Sequence, residues 1–286
     1  MIYLLLAIAS SAMVSLAMRL SEKYIRNNMV MFAANYTACL LLARYFMGNA
    51  GILTLERGIA AAVGLGILSG ILYLVNFVLL QMSMRHNGIV LSSTFMKLGV
   101  LVPTIMAILV FRERPGILQI AGMAAALTAI VMIHFEKENP DSETGEKLAV
   151  SRKSLLIILL LISGFTDSMA NIYDKTGSVA LKDHYLFYTF LAALASAAFM
   201  AFRERKQIRA ADILFGILIG IPNYFSARFL LLALGSVPAV ITYPVYSVAT
   251  IVVISIISAL LLKERISSRK KKALVLIILA LTCLNL

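Results

Sequence analysis

A chain of 286 residues that is 61% hydrophobic and only 14% charged has too few polar side chains to cover a soluble domain, which is typically about a quarter charged. Its mean hydropathy is +0.92, so almost every residue is expected to face lipid or another helix. The formal net charge of +12 comes from short basic clusters between apolar stretches. This pattern favours anionic lipid as a partner and argues against nucleic acid.

The sequence gives no sign of a metal, cofactor or disulfide framework. Cys39 and Cys283 lie inside apolar stretches, and the three histidines are far apart in sequence without acidic or cysteine neighbours at ligand spacing. The first apolar segment has no basic region before it and no cleavage site after it, which predicts a retained first helix and not a signal peptide.

Ten apolar segments are long enough to be transmembrane helices, because a span needs roughly 20 residues. They cover residues 2–18, 29–47, 59–82, 88–111, 116–135, 155–173, 185–202, 213–234, 239–262 and 273–286. The first and last are short, which predicts tilt or local thinning of the bilayer. The predicted fold class is therefore an all-α membrane protein with ten transmembrane helices.

A hydrophilic stretch at 136–153 divides these helices into five and five, so it is predicted to link two units at 1–135 and 154–286. The two units repeat each other. At a shift of 151 residues Phe111–Arg114 matches Leu262–Arg265, Tyr73 matches Tyr224 and Leu80 matches Leu231, and near a shift of 152 Ser11 matches Ser163 and Glu22-Lys23 matches Asp174-Lys175. Since five is odd, the second unit must be inverted relative to the first, as in many secondary transporters.

The recurring apolar helix that ends in x-Glu-Arg, at Phe111–Arg114 and Leu262–Arg265, resembles the EamA-like branch of the drug/metabolite transporter superfamily. The resemblance covers essentially the whole chain. It implies secondary transport of small metabolites or drugs, often export, without fixing the substrate.

Basic residues indicate an orientation. Alternate connections carry 18 and 6 Lys and Arg residues when Arg44, three residues before the end of its segment, is counted with the connection that follows. The positive-inside rule therefore predicts that the richer side is cytoplasmic and that both termini lie outside. Members of the resembled family are usually drawn with cytoplasmic termini. The alternative is that one short terminal segment is not a span.

Three charged residues, Lys97, Asp167 and Arg228, lie deep inside predicted spans, where ionised groups are costly and usually mark function. At 1.5 Å per residue they lie roughly 14, 18 and 21 Å from the basic side of a core about 30 Å thick. We expect a central site with a net charge of about +1, in which Asp167 balances one cation and the other meets a carboxylate or phosphate. The alternative is a structural pair of Asp167 with Lys97 or Arg228.

The repeat does not preserve these charges, because Lys97, Arg228 and Asp167 match Val248, Phe77 and Ser15. Their asymmetry favours substrate recognition over architecture. Six further polar side chains are predicted to line the same pocket, or alternatively to bridge helices or anchor at the membrane interface. They are Tyr73, Asn76, Asn223, Tyr224, Tyr243 and Tyr246.

The predicted function is transport of a small anionic or zwitterionic metabolite by alternating access, with no enzymatic activity, in the cell (inner or plasma) membrane. Organic cations such as quaternary amines or drugs are the alternative substrate, held by Tyr and Phe since the chain has no Trp. A membrane-embedded enzyme and a non-transporting scaffold are the alternatives of other classes. A monomer is expected, with a homodimer as the alternative.

Two further features bear on the transport cycle. Pro103, Pro222 and Pro244 interrupt spans, which predicts either hinges or static kinks. Asp167 is the only carboxylate in the spans that could couple transport to protons.

Overall fold

The computed structural model describes residues 1–21, 24–52, 54–87, 98–134, 153–204 and 207–261, with positions 92, 95–96, 272, 275–276, 279–280 and 283. All regular structure in these residues is helical. Lys97 lies outside them, as do the predicted linker up to residue 152 and most of the tenth predicted segment.

Nine α-helices are described, and each falls within or over one of the first nine predicted segments. They are α1 (Ile2–Ser21), α2 (Asn28–Phe46), α3 (Ile59–Asn87), α4 (Leu101–Leu109), α5 (Ile117–His134), α6 (Lys153–Thr176), α7 (Lys182–Glu204), α8 (Ala210–Leu234) and α9 (Ala239–Leu261), with a 3₁₀ turn at Val179–Leu181 before α7. Several extend past the apolar segment that predicts them, because a helix continues into its polar ends.

Among the described residues, five helical stretches are long and apolar enough to cross a membrane: Asn28–Phe46, Ile59–Leu80, Ser154–Thr176, Val179–Glu204 and Ala210–Leu234. On α8 the exposed apolar residues Leu214, Ile217, Leu218 and Ile221 recur at the spacing of one helix face. A large apolar face left uncovered by protein is what a lipid-facing helix requires.

The chain forms two compact units, each of which takes residues from both predicted repeats. Unit 1 comprises Met1–Leu74 and Met169–Val237, and unit 2 comprises Val75–Ser168 and Pro238–Leu286. A compact unit is therefore not a sequence repeat. The two inverted five-helix repeats stay a prediction from the sequence.

In unit 1, α8 packs against α1 and α2, and α2 also packs against α7. Glycine makes the α2–α8 contact close: a Cβ atom at Gly220 would lie 2.5 Å from the carbonyl oxygen of Asn35, and one at Gly216 would lie 2.4 Å from that of Met31. Small residues that let backbones approach are typical of helix contacts in membranes.

Glycine also makes the contact between α3 and α7 close. A Cβ atom at Gly70 would lie 2.3 Å from the carbonyl oxygen of Thr189, and one at Gly66 would lie 2.8 Å from the Cβ atom of Tyr188. Gly64, two residues before Gly66, has no atom within 4 Å of such a Cβ position. Close helix packing therefore explains Gly66 and Gly70.

A buried carboxylate ties the starts of two helices together in unit 1. Asp212 is fully buried, and its Oδ2 accepts from the backbone N–H of Arg209 at 3.1 Å, which caps α8. Its Oδ1 accepts from the backbone N–H groups of Arg26 at 3.0 Å and Asn27 at 3.4 Å, just before α2. Asn27 in turn caps α2 by accepting from Val30.

In unit 2, α9 packs against α4 and α5, and a carboxylate caps the start of α9. Arg112 adopts a φ of 56° where α4 ends, and the next residue, Glu113, accepts from the backbone N–H groups of Ala239 at 3.2 Å and Val240 at 2.9 Å. The glutamate of the first x-Glu-Arg motif thus holds a helix N-terminus, where a negative charge is favourable.

Candidate functional site

Among the predicted site residues, Arg228 forms an ion pair. It lies in α8, six residues before the helix ends, and its guanidinium forms an ion pair with Asp183 in the first turn of α7. Its second terminal nitrogen reaches the other carboxylate oxygen at 3.5 Å, the limit of a hydrogen bond. The side chains of Arg228 and Asp183 keep 19% and 29% of their surface exposed.

Two aromatic side chains hold the Arg228 guanidinium in place. Its Nη1 donates a hydrogen bond to the Tyr224 hydroxyl at 2.8 Å, and its central carbon lies 4.2 Å from the ring centroid of Phe46, within cation–π range. Phe46 also stacks on Tyr224, with ring centroids 5.6 Å apart. Tyr224 is fully buried, whereas Phe46 is 37% exposed.

A second ion pair lies next along the chain. Lys182 Nζ donates to Asp174 at 2.6 Å and to the carbonyl oxygen of Leu231 at 3.3 Å, and both side chains of the pair are nearly buried. Asp174, Lys182, Asp183 and Arg228 therefore form two neutral pairs. Only Arg228 among these four is a residue that the sequence predicts for the site.

Asn223 bridges helices, as one of the sequence-based alternatives expects. Its side-chain nitrogen donates to the Asn35 side-chain oxygen at 3.2 Å and lies 3.7 Å from the Cys39 sulfur, both on α2. Tyr73, also in unit 1, is half-buried on α3. The structure thus brings Arg228 and Tyr224 together directly, and Asn223 lies beside them on α8.

Unit 2 contains the remaining described site residues. Asp167 is exposed on α6, and its backbone carbonyl oxygen accepts a hydrogen bond from the Tyr243 hydroxyl of α9 at 2.7 Å. The exposed apolar side of α6 includes Ile158 and Phe165. Ile157 and Leu161 are exposed as well. At about 100° per residue Asp167 lies about 135° around the helix from the middle of these four side chains, so it is outside the apolar face.

The other unit 2 residues are less exposed. Tyr243 is buried, whereas Tyr246 and Asn76 are half-buried. The Asn76 side-chain oxygen is itself buried and has no hydrogen-bond partner among the described residues. Tyr243 therefore joins two helices, as the bridging alternative expects, and Asn76 has hydrogen-bonding capacity left over.

An apolar cavity of about 220 Å³ lies among α4, α5 and α9 in unit 2, lined by residues that include Val100, Met123 and Pro244. Its one polar lining residue, Thr104, donates its hydroxyl to the Val100 carbonyl oxygen at 2.8 Å. The cavity offers no group that would compensate a charge, so it does not suit a charged solute.

Sequence reasoning missed two residues that hold Arg228. Asp183 lies two residues before the seventh predicted segment, and Phe46 is the last residue but one of the second. A signal existed for Asp183, because an acidic residue just before an apolar run is typical of a helix first turn.

Comparison with known proteins shows a shared fold and names no function. No protein-family model matches the chain. An uncharacterised protein of Haemophilus influenzae (strain Rd) is 24% identical over 212 residues, which are 73% of this chain and 70% of that protein. A protein of known crystal structure superposes with a TM-score of 0.77 at 12% identity, over 99% of this chain and 94% of that one.

Proposed function

We propose that the chain is a secondary transporter that moves a small anionic or zwitterionic metabolite across the cell membrane by alternating access. The proposal includes ten transmembrane helices in two inverted EamA-like repeats, with the 18-charge side in the cytoplasm. Five described helical stretches with the length and composition of spans support it. Inverted repeats whose solute site lies near the middle of the membrane are a common transporter plan.

The observation that carries the proposal is the state of Arg228. A guanidinium within an apolar spanning helix is expensive to keep, and such groups usually serve a solute or ion pathway. Arg228 is paired with Asp183 and contacts Tyr224 and Phe46, yet 19% of its side chain stays accessible. An accessible guanidinium is suited to binding a carboxylate or phosphate.

Asp167 and Lys97 belong to the same proposal. Asp167 is accessible on the side of α6 away from its apolar face, where a carboxylate could compensate a solute amine or carry a coupling proton. Lys97, four positions before α4 in the sequence, is proposed as a second cation for the solute. The assignment of Asp167 and Lys97 to the solute site depends on the sequence, and each residue is substituted separately.

The test is a thermal-shift screen of the purified protein in detergent against amino acids, organic acids, phosphoesters and quaternary amines. Cys39 is fully buried and Cys283 is partly exposed, so in a Cys283→Ala background a thiol-reactive dye reports unfolding in a chain that has no Trp. Solutes that raise the unfolding temperature are then tested for flux into proteoliposomes. We expect an anionic or zwitterionic hit whose stabilisation is lost in Arg228→Ala and weakened in Lys97→Ala and Asp167→Asn.

Arg203→Ala is the matched control, because Arg203 is an exposed arginine at the end of α7 and its removal changes the net charge equally. If Arg228→Ala and Lys97→Ala both keep the wild-type response to an anionic hit, the proposed site is wrong. If only amines stabilise the protein, organic cations are the substrate. If no solute stabilises the protein and none enters the proteoliposomes, the protein would instead be a scaffold.

A further inference from the structure

The Arg228–Asp183 ion pair restricts the charge of the solute, an inference that rests on the proposed function. Both groups are held in place, Arg228 by Tyr224 and Phe46, and Asp183 by its position in the first turn of α7. Both also stay partly accessible, and one leg of the pair is stretched to 3.5 Å. Nη1 of Arg228 is in direct contact with Oδ1 of Asp183, so the pair is formed while both of its groups can still be reached.

A solute with a single charge fits this pair poorly. A plain anion that displaced Asp183 from Arg228 would leave a half-buried carboxylate uncompensated, and breaking a buried pair from one side is strongly unfavourable. A plain cation that took Asp183 would leave Arg228 in the same condition. Lys182 cannot replace the missing partner without losing its own contacts with Asp174 and Leu231.

We infer that Asp183 and Arg228 together select a zwitterion, whose carboxylate binds the guanidinium while its ammonium group binds the Asp183 carboxylate. Each protein charge then exchanges one partner for another, and no charge is left uncompensated. Arg228 binds the anionic group, and Asp183 is the residue that excludes plain anions. Carboxylate and ammonium must be close together in the solute, because the two protein groups are in direct contact.

Three solutes with related carbon skeletons test the inference: 2-aminobutyrate, a zwitterion; butyrate, its analogue without the amine; and propylamine, its analogue without the carboxylate. Their affinities for the wild-type protein and for Asp183→Asn are measured by thermal shift in detergent. We expect the wild-type protein to bind 2-aminobutyrate best. In Asp183→Asn the ratio of zwitterion to anion affinity should fall at least about tenfold, the change that one charge contact of about 1.4 kcal/mol produces.

Asp174→Asn is the matched control, since it removes a carboxylate from the neighbouring ion pair and changes the net charge by the same amount. It should lower stability and leave the ratio unchanged. A purely structural Arg228–Asp183 pair would give the same result in both variants, a loss of stability without a change of ratio, and this would overturn the inference.

The affinities of the wild-type protein test the zwitterion inference even if Asp183→Asn does not fold. Binding of butyrate at least as strong as that of 2-aminobutyrate overturns the zwitterion inference and leaves anion transport standing. Stabilisation by propylamine or other amines alone overturns it in favour of cations. If the broad screen also yields no ligand and no flux, the proposed function fails, and that outcome is distinct from a wrong charge class.

Discussion

At the scale of single residues, Asp212 is the clearest test of what holds unit 1 together. Its fully buried carboxylate accepts three backbone N–H groups, from Arg209, Arg26 and Asn27. Asp212→Ala removes a helix cap and leaves buried donors without partners, so we expect a loss of about 2–4 kcal/mol in the free energy of unfolding. The midpoint of thermal unfolding, measured with a thiol-reactive dye, should fall accordingly.

Asp212→Asn distinguishes the contribution of the hydrogen bonds to stability from that of the side chain's volume. The amide keeps one acceptor oxygen and loses the other, so this variant should unfold between the wild type and Asp212→Ala. Equal midpoints for all three proteins would mean that the carboxylate contributes nothing to stability.

The residues around the candidate site were only partly predictable. Arg228, Asp167 and Lys97 stand out in the sequence because ionised residues inside apolar segments are rare. Asp183 and Asp212 do not, since each lies just outside an apolar segment. The partner of Arg228 depends on which helices are neighbours, and depth along a span gives no such information. Asp183 is 45 positions away from Arg228 in sequence.

At the scale of helices, two glycines on α3 provide an internal comparison. A methyl group at Gly70 would lie 2.3 Å from the backbone oxygen of Thr189, whereas one at Gly64 would meet nothing within 4 Å. Gly70→Ala should therefore cost roughly 1–3 kcal/mol by forcing α3 and α7 apart. Gly64→Ala should be neutral or stabilise the helix by up to about 1 kcal/mol.

Both variants are compared with the wild type by thermal unfolding in the same detergent. Because the substitutions are chemically identical and lie less than two turns apart on one helix, detergent and helix propensity affect them alike. A Gly70→Ala protein as stable as Gly64→Ala would show that the α3–α7 contact relaxes without cost.

Hydropathy predicts helices well here because a span must satisfy its backbone internally and must be apolar over about 20 residues. It predicts their ends poorly, as α7 shows by beginning at Lys182 instead of 185. The x-Glu-Arg motif illustrates the same limit. Its recurrence marks the ends of two apolar segments, but the sequence gives no indication that Glu113 caps α9 some 126 positions later.

At the scale of the whole molecule, the sequence repeats and the compact units divide the chain at different positions. The sequence repeat divides it near residue 150, whereas compactness groups the first 74 residues with 169–237 and the remaining residues into unit 2. Each compact unit thus draws on both repeats, which hydropathy and repeat matching do not reveal. The charges that break the repeat are also divided: Arg228 belongs to unit 1 and Asp167 to unit 2.

The orientation of the chain is the prediction that applies to the whole molecule. With 18 basic residues in one set of connections and 6 in the other, the positive-inside rule places the richer set in the cytoplasm and both termini outside. In a Cys39→Ala, Cys283→Ala background, a single cysteine at Lys271 should resist a membrane-impermeant thiol reagent in intact cells and react after permeabilisation.

A cysteine at Ala50 serves as the opposite marker, because it lies in an exposed connection of the charge-poor set and should react in intact cells. The reverse pattern, with Lys271→Cys labelled from outside and Ala50→Cys protected, would place the termini in the cytoplasm. Labelling of both positions from outside would mean that an even number of spans separates them, so one of the seven predicted segments between residues 59 and 262 would not cross the membrane.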